Sequence, residues 1–173
     1  LAREWTFYTL ARRDDNYDSG ITARLLVRDA CGLWEVWDKG ADSLVRLLHS
    51  DETVLTAGAR LYGIALFAAP AQPQWGCPHS GGSVVRVAPS GRGAAEVLEC
   101  ARECVLFALA EAGPQPCSGV RLLRGRTDEA LRIELWCATA QLQDTAAAVT
   151  RHLEHAGLPA AVSCGALRAA AIS

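Results

Sequence analysis

The sequence predicts an α+β fold, a mostly antiparallel sheet with helices packed on one face. Three observations lead there. Short β-branched and aromatic runs recur along the chain, and two of them stand close enough to pair as a hairpin. Two long segments repeat apolar residues at helical spacing, and a shorter third one is announced by a cap. The helices interrupt the strands in blocks instead of following each strand, so a parallel sheet of βαβ units is not expected.

Residues 4–10 (Glu-Trp-Thr-Phe-Tyr-Thr-Leu) are aromatic and β-branched, which favours a strand. Residues 12–20 contain Asp-Asp-Asn and Ser-Gly and read as a loop. Residues 21–27 form a second strand. Residues 31–40 carry Trp34 and Trp37 and fit no single element. Asp42-Ser43 offers an N-cap to a short helix with Leu44, Leu47 and Leu48 on one side. Residues 61–67 alternate as a strand. Residues 69–82 hold three prolines and three glycines, too many for regular structure. Residues 83–87 are again a strand.

Residues 93–112 are the clearest helix, with Val97, Cys100, Ala101, Cys104, Phe107 and Ala108 at i, i+3, i+4 spacing. Gly113-Pro114 stops it. Strands over 119–124 and 130–137 flank a Gly-Arg-Thr-Asp turn. Residues 144–156 form a second long helix, ended by Gly157 and Pro159. Residues 161–164 make a last strand. There is no internal repeat and no low-complexity tract.

Composition narrows the function classes. The chain has 173 residues, half of them hydrophobic, the length and apolar content of one domain with a sizeable core. Its net charge of −2 gives no general attraction to nucleic acid backbones, so any nucleic acid site must gather its basic residues locally. The seven cysteines include no CxxC pair, which argues against a zinc ribbon or a thioredoxin-type site. Small buried thiols in a reducing compartment are expected instead. No apolar run reaches the ~18 residues of a membrane span. Leu1 does not open a signal peptide, and the missing initiator Met suggests a fragment.

Catalysis is not expected. His152 and His155 are three apart on one helix, but no third metal ligand follows from spacing. Cys77 and His79 are too close in a loop to form a nucleophile–base pair. No phosphate loop or dinucleotide motif is present. No metal and no cofactor are therefore expected.

Several stretches in order resemble one family. Leu66-Phe67-Ala-Ala-Pro70-Ala-Gln-Pro73-Gln-Trp75, followed by Gly81-Gly82-Ser-Val-Val, is similar to the strand, Pro-x-Trp loop and Gly-Gly-led strand of translation initiation factor 4E. Cys117-Ser-Gly-Val-Arg-Leu-Leu-Arg124 and Ile133-Glu-Leu-Trp136 resemble its hairpin, and Trp5 its first-strand tryptophan. The resemblance covers almost the whole chain. It implies a single domain over 1–173 with an insertion at about 28–41, and a curved sheet whose convex face carries three helices. It further implies a cytoplasmic, monomeric, non-enzymatic protein of translation initiation and its regulation. Such a protein holds the 7-methylguanosine 5′ cap of mRNA in the concave face.

The cap explains which residue types are needed. Its methylated base is cationic and stacks between aromatic faces, while its triphosphate needs guanidinium or ammonium groups. Trp75 matches one stacking residue of the family. The other is open: Ser19 stands at the expected position, Tyr17 is the aromatic of that loop, and Trp34 and Trp37 are alternatives if the loop is longer. Arg124 matches the family's phosphate arginine. Arg126 would share its strand face, and Arg132 would stand across the hairpin according to register. Two positions depart from the family. Gly76 replaces the glutamate that reads the guanine edge, and Ser83 replaces an arginine near the phosphates. On the convex side, Leu48, Arg102, Glu103 and Leu106 match the surface that takes a Tyr-x-x-x-x-Leu-hydrophobic helix from a scaffold factor or a 4E-binding protein.

Overall fold

A computed structural model describes residues 3–12, 21–27, 29–48, 54–55, 59–74, 77–90, 93–110, 116–124 and 131–166. The elements are β1 (Trp5–Arg12), β2 (Ile21–Val27), α1 (Ala30–Leu48), β3 (Val54–Leu55), β4 (Ala59–Ala68), β5 (Gly82–Pro89), α2 (Ala94–Leu109), β6 (Gly119–Arg124), β7 (Leu131–Ala138), α3 (Leu142–His155) and β8 (Ala160–Ala166). The strands join one sheet in the order β2-β1-β4-β6-β7-β5-β8, with β3 paired to β4. Every pairing among the described residues is antiparallel. The sheet is open, with β2 and β8 at its two ends.

Strand alternation divides the sheet into two unlike faces. One face presents Phe7, Leu66, Leu122, Leu135 and Val85 to the helices, and these join Trp37, Cys104, Phe107 and Leu153 in a continuous apolar core. Each large side chain so buried contributes about 1.5–3 kcal/mol. All three helices contribute to this core, which makes the arrangement the two-layer α+β fold read from the sequence. The repeat on α2 is buried along its whole length. Glu96 accepts from the Gly93 amide at 3.4 Å and caps its first turn. The opposite face carries a smaller cluster around Tyr8, Leu10, Phe67 and Trp136.

The largest departure from the sequence reading is α1. Residues 31–40, which fit no single element in the sequence, are the first half of a 19-residue helix. Its start is set by Asp29, not by Asp42-Ser43: the Asp29 carboxylate accepts from the Gly32 amide at 2.7 Å. Gly40 looks like a break, yet it lies inside the helix because the Phe7 ring occupies the space of its side chain; a Cβ there would stand 2.8 Å from that ring.

Candidate functional site

The helix-free face gathers charge within an apolar setting. Arg121 of β6 stands directly across from Glu134 of β7, and Glu134 stands directly across from Arg86 of β5. Arg132 precedes Glu134 by two residues and shares its face. Glu134 Oε1 lies 3.2 Å from Arg132 Nε and 3.6 Å from Arg86 Nε. Glu134 Oε2 is buried with no hydrogen-bond partner among the described residues. Arg121 is buried as well, its guanidinium 5.1 Å from the centre of the Trp136 ring. Trp136 in turn meets Phe67 edge-on at 5.1 Å, and Phe67 meets Tyr8 edge-on at 6.4 Å.

The loop between β4 and β5 packs over this face. Ala71 joins the Tyr8–Phe67–Trp136 cluster. The buried Ser80 hydroxyl donates to the Gln72 carbonyl at 2.7 Å, which ties the two arms of the loop together. Gly81 returns the chain to β5 at φ +89°, a left-handed conformation that suits glycine; a Cβ would also lie 2.4 Å from the Cys137 backbone. Burial works to raise the Cys77 thiol, but hydrogen bonding with the Ser80 side chain and with the backbone at His79, Gln72 and Ser80 outweighs it, leaving the thiol below its ordinary value. Burial also raises the Tyr8 hydroxyl, against a hydrogen bond with Thr6, and Cys77 adds to the rise.

The residues singled out in the sequence fall in different places. Trp75 and Gly76 lie outside the described residues, as do Tyr17, Ser19 and Arg126. Arg132 is on the helix-free face. Arg124 is not: it pairs with Leu131 and shares alternation with Val120 and Leu122, which point to the helices. The hairpin therefore does not present Arg124 and Arg132 on one face. Trp37 is fully buried and Trp34 partly buried in the core beneath the helices. Both are thus separated by the sheet from Arg86, Arg121 and Arg132 and drop out as stacking candidates. Ser83 is buried, and its hydroxyl is shared with Thr139 at 2.9 Å.

Arg86, Arg121 and Glu134 were missed. A signal existed, since each is a charged residue inside an otherwise apolar strand, and such residues are rarely buried without partners. Their convergence needed the strand order, which places β5 next to β7 although α2 and β6 lie between them in sequence.

On the helical side, Arg102 bonds to Asp38 of α1 at 3.1 Å and to Glu99 one turn earlier. Glu103 meets His152 of α3 at 2.8 Å, and the His152 ring also approaches Phe107 edge-on. Leu106, one turn beyond Glu103, is 38% exposed. The side chain of Leu48 lies outside the described residues. Among the described residues no group of three or more His, Cys, Asp or Glu is arranged to hold a metal ion. None of the described helices is long and apolar enough to cross a membrane.

An open antiparallel sheet, covered by three helices on one face and bearing a loop and a basic cluster on the other, defines a one-sided α+β fold. It is the fold of translation initiation factor 4E. The chain superposes on Ascaris suum eIF4E-3 in complex with the m7G cap with a TM-score of 0.67 at 11% identity, covering 100% of this chain and 93% of that one. A schistosome eIF4E complexed with m7GpppA and 4E-BP gives 0.66 at 14% identity, covering 100% and 94%. C. elegans eIF4E-3 with the 4E-binding protein Mextli and a cap analog gives 0.64 at 13% identity, covering 94% and 90%. No protein-family model and no curated protein matches the sequence.

Proposed function

We propose that this protein binds the 7-methylguanosine 5′ cap of mRNA on its helix-free face and links it to translation-initiation partners through its helical face. The observation that carries the reading is the basic cluster on that face, beside the loop that bears Trp75. A cationic base would stack on Trp75, with Tyr17 as its second aromatic face, and its triphosphate tail would meet the cluster. Stacking supplies about 1–3 kcal/mol per aromatic face, and guanidinium groups match phosphate geometry. Arg132 serves the phosphates and Arg126 is assigned to them with it, whereas Arg124 faces the helices and takes no part. Cytoplasmic action follows from this role. Support also comes from the solved structures of the same fold, which hold cap analogs and 4E-binding proteins.

The test is retention on 7-methyl-GTP resin. The chain should bind, elute with free cap analog and resist elution by GTP, and Trp75→Ala should pass through unretained. Elution by GTP at the same concentration would remove the cap from this reading. On the helical side, Leu106 and Glu103 form the contact for a Tyr-x-x-x-x-Leu-hydrophobic helix, and Leu48 and Arg102 are assigned to the same surface. Leu106→Asp should then weaken a 4E-binding peptide at least about tenfold.

One observation favours a second reading. Gly76 stands in place of the glutamate that would distinguish guanine. A protein of this fold acting through its helical face alone would pass through cap resin yet still capture such a peptide.

A further inference from the structure

Glu134 is a carboxylate with a side chain only 3% exposed, and it holds two arginines by the same atom type. Both Arg86 and Arg132 approach its Oε1 through Nε. A guanidinium met at Nε still has its other edge, between the two terminal Nη groups, to fork onto phosphate oxygens. Both side chains reach solvent, Arg86 at 35% exposure and Arg132 at 51%. Gly165 of β8 makes room for the first of them. A Cβ at Gly165 would stand 2.3 Å from Arg86 Nη1, so the end of Arg86 lies over bare β8 backbone.

Charge balance points the same way. A buried carboxylate must be paired, but one arginine is enough for that. Here Arg86 and Arg132 share one Glu134. Their charge exceeds that of the carboxylate by one, in a chain whose net charge is −2. Meanwhile Ser83, where an arginine was expected, is buried and bonded to Thr139.

We propose that Arg86 and Arg132 form a two-armed clamp for the polyphosphate chain of a nucleotide, with Glu134 as the positioning residue that aims both guanidinium groups. The proposal rests on the cap-binding reading, and it adds Arg86 as a phosphate contact; Ser83, which shares alternation with Val85 and Val87, faces the helices instead.

The test titrates the full chain with 7-methyl-GTP, 7-methylguanosine and GTP. It compares Arg86→Ala, Arg86→Lys and Glu134→Gln with the unaltered protein, using circular dichroism to confirm folding. Arg86→Ala should weaken 7-methyl-GTP about tenfold and 7-methylguanosine less than about twofold. Arg86→Lys should fall between, because an ammonium keeps the charge but loses the Nε tether. Glu134→Gln should weaken the triphosphate more than the nucleoside, a split that a merely structural role would not produce. Unchanged affinity of Arg86→Ala for 7-methyl-GTP overturns the clamp and leaves cap binding standing. Equal binding of GTP and 7-methyl-GTP, both weakened by Arg86→Ala, keeps the clamp and overturns the cap reading. No binding of either triphosphate overturns both.

Discussion

Cys77 and Cys117 show how far surroundings can separate two chemically identical side chains. Cys77 sits half-buried in a loop where hydrogen bonds hold its thiol below the ordinary value. Cys117 lies in the core, where burial pushes it up to about 12, and burial raises Cys137 to about 11. Alkylation proceeds through the thiolate. Iodoacetamide at pH 7.5 should therefore label Cys77 well before Cys117 and Cys137 in the folded chain, as peptide mass mapping can follow. Comparable labelling of all three would contradict this picture. The same scale limits what a sequence reveals. Trp75 and Arg132 could be singled out by residue type and neighbours. The orientation of Arg124 could not, because a shift of one residue in strand alternation exchanges the two faces of a sheet.

Helix α1 is the element on which local sequence signals misled. Gly40, Asp42 and Ser43 all favour a break or a new start when read alone. Tertiary packing overrides them: Leu33, Trp37 and Ala41 lie at i, i+4, i+8 and are all buried. With Asp29 as the cap, Asp29→Ala should cost about 1 kcal/mol by urea unfolding. An unchanged urea midpoint would place the start of the helix elsewhere. Trp37→Ala should cost about 3–5 kcal/mol, since it empties a fully enclosed site under the sheet. By contrast α2 and the β6–β7 hairpin were legible at once. Their apolar periods are unbroken, and the hairpin strands are adjacent in both sequence and space.

For the molecule as a whole, several buried thiols share one core, and this shapes its response to alkali. Burial raises Cys104, Cys117 and Cys137 above their ordinary value of 9.0. Below about pH 9 folded and unfolded chains both keep these protons. Above it the unfolded chain releases them while the core retains them, so stability falls as pH rises towards about 12. The urea midpoint should be level from pH 7 to about 8.5 and then decline. Replacing Cys117 by Ala should flatten part of that decline. The global fold class followed from the order of strands and helices in the sequence. The sheet order did not, because it depends on which distant strands share an apolar face.

That order has a consequence for synthesis on the ribosome. β5 is flanked in the finished sheet by β7 and β8, both of which come later in the chain. When residues 82–89 leave the exit tunnel, their backbone donors and acceptors have no permanent neighbour, and they wait until first β7 and then β8 have followed. Nascent chains stalled before β7 should thus present a sticky, unpaired ribbon and recruit chaperones, whereas stalling after β8 should release them.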